Sequence, residues 1–138
     1  MCQADFLGNS HNKKGLLNIL HEVLQATGVA VKEAFGDADK PIVSTALDHA
    51  KEGQPVVVIG TNTDLLVMLV ARAPSKSNIF PVNPGHSKEP QKVFDVPAIQ
   101  DALGLLKNNL LFLHAVTGSD MTSPPYQQDK KKGYKILK

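Results

Sequence analysis

Apolar residues recur along this chain at two different periods, and the switches between them lay out its elements. From Asn12 to Thr27, Leu16, Leu17, Ile19, Leu20, Val23 and Leu24 form a wide stripe at helical spacing, with Gly28 placed as a stop. Val29 to Ala34 alternates and is β-branched, which predicts a short strand. A second helical pattern over Ala38 to Glu52 uses Ile42, Val43, Ala46, Leu47 and Ala50. Pro41 is tolerated in its first turn and Gly53 ends it. Pro55 to Gly60 then carries Val56, Val57, Val58 and Ile59 without interruption, the pattern of a central strand covered on both faces. Thr61 to Asp64 opens a helix through Leu65, Leu66, Met68, Leu69 and Val70.

The second half is less regular. Ala73 to Gln91 is rich in Pro, Ser, Asn and Lys, with strands expected at Ile79 to Val82 and around Lys92 to Val96. A helix is expected from Pro97 through Ile99, Leu103, Leu105 and Leu106, followed by a further apolar stretch from Leu110 to Val116. Beyond Pro124 and Pro125 a lysine-rich segment has the pattern of one last helix. The strand and helix rhythm predicts an α/β fold, whose crossovers are right-handed and whose ligands lie beyond the carboxyl ends of the strands.

Composition narrows the class. At 138 residues and 42% hydrophobic, the chain has the length of one domain with a real core, and 20% charged residues argue against wholesale disorder. Cys2 is the single cysteine, which excludes a disulfide framework and a thiolate zinc site and fits a reducing compartment. Val56 to Ile59 and Leu65 to Ala71 are too short to span a bilayer, and the first residues do not pair a basic segment with an apolar signal core. The expectation is an intracellular protein, nuclear or cytoplasmic and not secreted. Net charge is only +2, yet Lys130, Lys131, Lys132, Lys135 and Lys138 fall in the last nine residues, so without these five the body stands at −3. A basic segment over 130–138 on an acidic body can meet a phosphate backbone, or it can be a solvated tail.

Candidate chemistry gathers in three acidic turns: Asp37 and Asp39 in Gly-Asp-Ala-Asp, Asp64 in Thr-Asn-Thr-Asp, and Asp120 in Thr-Gly-Ser-Asp. Carboxylates brought together repel, and either shift their protonation or hold a hard cation such as Mg²⁺ or Mn²⁺. Divalent ions held by carboxylates can activate water and stabilise a leaving oxygen, the requirements of phosphodiester hydrolysis. Each acid also has a structural explanation. Asp37, Asp39 and Asp64 stand where helices begin and suit N-capping and the helix dipole, and Asp120 suits a turn. His11, His21, His49, His86 and His114 lack paired metal-site spacing, and His114 on an apolar stretch reads as a satisfied core residue. Ser44, Ser119 and Ser123 lack a nucleophile elbow, and Gly60 after a strand lacks the glycine repeat of a dinucleotide site.

In order, Phe6-Leu-Gly-Asn-Ser-His-Asn-Lys, Gly36-Asp-Ala-Asp, Val57-Val-Ile-Gly-Thr-Asn-Thr-Asp-Leu-Leu-Val and Leu111-Phe-Leu-His-Ala-Val-Thr-Gly-Ser-Asp-Met-Thr-Ser resemble a transposon-associated branch of the PIN/FEN-like nucleases of animal genomes. The similarity covers nearly the whole chain. It implies a single domain over 1–138 with a Rossmann-like, three-layer PIN/FEN-type fold around a mostly parallel central sheet. Its activity would be divalent-metal-dependent hydrolysis of DNA or RNA by Mg²⁺ or Mn²⁺. Asp37 and Asp39 would match the family's first acidic pair, Asp64 the second aspartate of its strand-end Asp-x-Asp, and Asp120 its Gly-x-Asp acid. These four would hold the metal. Lys130, Lys131, Lys132 and Lys135 would begin a basic helix on the nucleic-acid backbone. Asn62 stands where the family has the first aspartate of Asp-x-Asp, which should lower metal affinity. The family's opening strand and its aspartate would precede Met1, and Pro124-Pro-Tyr-Gln-Gln-Asp replaces its glycine-rich turn. These departures favour a copy incomplete at both ends, with reduced or lost activity. Two alternatives follow: a catalytically dead PIN-like module that binds nucleic acid or protein, and an unrelated nucleotide-binding α/β domain with its acids as caps.

Overall fold

The computed structural model describes residues 3–85 and 90–116. The chain divides into two compact units, one running to Gly36 and the other beginning at Asp37.

In the first unit, α1 (Gln3–Gly8) leads into α2 (Ser10–Ala26). Asn9 caps α2, its side chain accepting from the backbone N–H groups of His11 and Asn12. At the other end Gly28 takes φ +79°, donates to Gln25 O, and lets Val29 N–H turn back to Leu24 O. This pair of bonds is a Schellman motif. It corrects the strand expected at Val29 to Ala34: Val29 spends its N–H closing the helix, and no strand forms over these residues. His21 Nδ1 meets Glu33 Oε1 at 3.1 Å, bringing the following segment back to the helix. No residue of α2 is buried, and Leu17, Ile19, Leu20 and Val23 of its predicted stripe are all exposed.

The second unit is a mixed α/β structure. Its sheet has the order β1 (Val56–Ile59), β2 (Ile79–Asn83), β3 (Lys92–Val93). β1 and β2 run parallel with Val56 opposite Ile79, joined across α4 (Thr63–Arg72), while β2 and β3 are antiparallel with Val82 opposite Val93. The sequence expectation of a central β1 is therefore corrected. Among the described residues β2 is central and β1 is an edge. Nor is β1 covered on both faces: Val58 is buried, whereas Val57 and Ile59 are 61% and 70% exposed. Successive strand residues point to opposite faces, and an unbroken Val-Val-Val-Ile run does not say whether both are covered.

The core lies on the Val58 and Ile79 side. Val43 and Ala46 come from α3 (Asp39–Lys51), Leu65, Leu69 and Val70 from α4, and Val96 from α5 (Val96–Leu103). α3 has Pro41 in its first turn, as expected, and Gly53 at φ +80° closes it with a second Schellman motif. There Gly53 donates to Ala50 O and Gln54 to His49 O. Gln100 is buried on α5 and its Nε2 donates to Val70 O and Ala73 O, at 2.8 and 2.9 Å. These carbonyls lie at the end of α4, where the helix has no N–H of its own to offer them. The helix expected to run from Pro97 through Leu106 is broken at Gly104. Its φ of +52° ends α5, and the chain continues as a 3₁₀ turn over Gly104–Asn109 into α6 (Leu110–Val116). Among the described residues no helix is long and apolar enough to cross a membrane.

Candidate functional site

Two helix starts build the site. At the first, Gly36 takes φ +93° and Ala38, the residue preceding α3, has no side chain able to cap it. Asp37 supplies the acceptor, its Oδ1 taking the N–H of Asp39 at 3.0 Å. Asp39 is then the first residue of α3, where a carboxylate complements the helix dipole.

At the second start β1 ends, Gly60 and Thr61 turn the chain, and Asn62 adopts an extended backbone ahead of α4. A side chain at Gly60 would bring its Cβ to 2.9 Å from Leu65 Cδ2, so the glycine serves close packing of turn on helix. The cap of α4 is Asn62 and not Asp64: Asn62 Oδ1 accepts the N–H of Asp64 at 2.8 Å. The same amide donates from Nδ2 to Asp39 Oδ2 at 2.8 Å, joining two helix starts 23 residues apart. Only one orientation of the amide satisfies both contacts, because the backbone N–H needs an oxygen and the carboxylate needs a donor.

Asp64, the second residue of α4, meets His114 of α6. The distance from Nε2 to Asp64 Oδ1 is 2.7 Å, and the two side chains are only 11% and 16% exposed. An ionised carboxylate accepts and does not donate, so Nε2 carries the proton of this bond. Sequence reading took His114 for a satisfied core residue. It is satisfied and largely buried, but its partner is one of the candidate acids. No local signal marks the pair, since 50 residues separate them; helical phasing of Leu110 to Val116 could at most have placed Leu111, His114 and Ala115 together.

Asp37, Asp39 and Asp64 line one open cleft of about 530 Å³ with Lys40, Asn62 and Arg72, and Met68 and Leu111 supply its apolar wall. Three carboxylates face two cationic side chains, a formal −1 that exerts far less pull on a divalent ion than a bare acid cluster would. Asp120 and the lysines Lys130, Lys131, Lys132 and Lys135 lie outside the described residues.

Each of these three carboxylates already serves a protein donor. Asp39 accepts from an amide, Asp64 from an imidazole, and Asp37 from a backbone N–H. Among the described residues no group of three or more His, Cys, Asp or Glu is arranged to hold an ion. What the cleft offers instead is a set of carboxylates fixed in orientation by protein donors, flanked by an ammonium and a guanidinium able to meet an anionic group. Comparison of the chain with family models, curated proteins and solved structures returns no match.

Proposed function

We propose that this chain is a nuclease-like domain of the PIN/FEN type, whose cleft belongs to the chemistry of divalent-metal-dependent phosphodiester hydrolysis in DNA or RNA. The observation that supports this reading is convergence. Asp37 and Asp39 at the start of α3, and Asp64 at the start of α4, line one cleft beyond the carboxyl end of β1, with Lys40 and Arg72 beside them. Capping alone would require each acid to serve its own helix, whereas Asp39 and Asp64 are each held by a side chain from another part of the chain.

A second reading, the same domain binding nucleic acid without turnover, is favoured by the bonds that Asp39 and Asp64 make to Asn62 and His114. The lysines of 130–138 would supply its affinity for the backbone, making binding steeply dependent on salt. The two readings separate in one experiment. Purified protein is incubated with single-stranded, flapped and duplex substrates in Mn²⁺ or Mg²⁺, and binding to the same substrates is measured beside it. Cutting that disappears in Asp64→Asn supports the hydrolase. Binding without cutting, weakened by neutralising Lys130, Lys131, Lys132 and Lys135, supports the second reading. Neither cutting nor binding would reject both.

A further inference from the structure

The side chain of Asn62 ties both helix starts of the cleft together. Its oxygen caps α4 through Asp64 N–H, and its nitrogen holds Asp39 Oδ2, each at 2.8 Å. An aspartate in its place could still accept the N–H of Asp64, but it would set two carboxylates at hydrogen-bond distance with no proton between them. Such a pair repels unless one member is protonated or a cation bridges them. The amide removes one negative charge and supplies the missing donor at once.

We propose that Asn62 takes the place of a divalent cation at this junction, cross-linking the first turns of α3 and α4 through Asp39 so that the cleft assembles without metal. The cross-link is a positioning device, since Asn62 fixes the Asp39 carboxylate and need not itself touch a ligand. The inference fits the second reading, binding without turnover, and stands on the two hydrogen bonds; metal-dependent cutting would speak against it. Failure to cut nucleic acid would leave it untouched.

Thermal unfolding of the full chain in EDTA and in Mn²⁺ tests it. The wild-type midpoint should be the same in both solutions, because an ion with no folded-state site stabilises nothing. Asn62→Asp should unfold about 5 °C lower in EDTA, the scale of one lost charge-assisted hydrogen bond in a domain of this size, and should recover in Mn²⁺. Exchanging the partners, Asp39→Asn with Asn62→Asp, reverses donor and acceptor, so it should restore the wild-type midpoint in EDTA and abolish the response to Mn²⁺. This double variant also decides the matter where Asn62→Asp alone does not fold. A wild-type midpoint that rises in Mn²⁺ overturns the proposal. So does Asn62→Asp unfolding like wild type in EDTA or staying low in Mn²⁺, and so does a double variant no more stable than Asn62→Asp.

Discussion

α2 and α3 are both amphipathic helices, and both end in a Schellman motif on a glycine near φ +80°. They differ in what lies against them. α3 buries Val43 and Ala46 in the core of the second unit, whereas α2 buries nothing. Periodicity and capping are local properties that make a helix, but burial belongs to a pair of surfaces. The open face of β1 repeats the lesson on a strand, where Val58 is covered and its neighbours Val57 and Ile59 are not. Stability should therefore be concentrated on one side of the Gly36 boundary.

The sharpest way to break that contrast is to truncate a leucine on each side. Leu69 is fully buried at the centre of the core, so Leu69→Ala should cost about 3 kcal/mol through lost burial and the cavity left behind. Leu20→Ala in α2 should change stability by less than about 0.5 kcal/mol, as for an exposed position. Urea denaturation of the two variants measures both. Comparable losses would show that the stripe of α2 is covered in solution.

A smaller effect is expected where the second unit depends on a buried polar group. Gln100→Ala removes the donor to Val70 O and Ala73 O; Lys107 Nζ, at 3.2 Å, still reaches only the Ala73 carbonyl. Leaving a buried carbonyl unpaired should cost about 1–3 kcal/mol in the same denaturation experiment. A loss well below that would mean that water or a shifted α5 satisfies the end of α4. Nothing comparable is buried in α2, so the same change at its exposed Gln25 should be nearly silent.

Particular residues show how far the sequence alone could be read. The helix around Val43 was legible because its apolar spacing is sustained and its stop, Gly53, has a backbone conformation that glycine favours, while the helix around Leu69 was legible from its apolar spacing alone. Ile79 to Val82 was legible as a strand, but its central place was not, because strand order depends on pairings that no local pattern encodes. Val29 misled because β-branched alternation says nothing about where its N–H is already engaged. In the site, Asp37, Asp39 and Asp64 were identified from turns that deliver them to one cleft. The groups that hold them were not. Asn62 was read only as a lost ligand, although its amide makes two bonds, and His114 looked like core because its partner lies far away in sequence.

The smallest expected effect is also the most discriminating, because it uses one substitution in two settings. A Cβ at Gly28 or Gly53 would meet nothing within 4 Å, so alanine at either position costs only the positive φ, about 1 kcal/mol. The local penalty is the same, but its consequence should not be. α3 is tied to the core, so Gly53→Ala should lower the midpoint of the main thermal transition by several degrees. α2 has no buried residue, so Gly28→Ala should fray its end, reducing the helical signal in far-ultraviolet circular dichroism while the main transition stays in place. Equal shifts of that transition would mean that the two units unfold as one and that the stripe of α2 contributes to global stability. A shift confined to Gly53→Ala would place the folding free energy in the unit that carries the cleft.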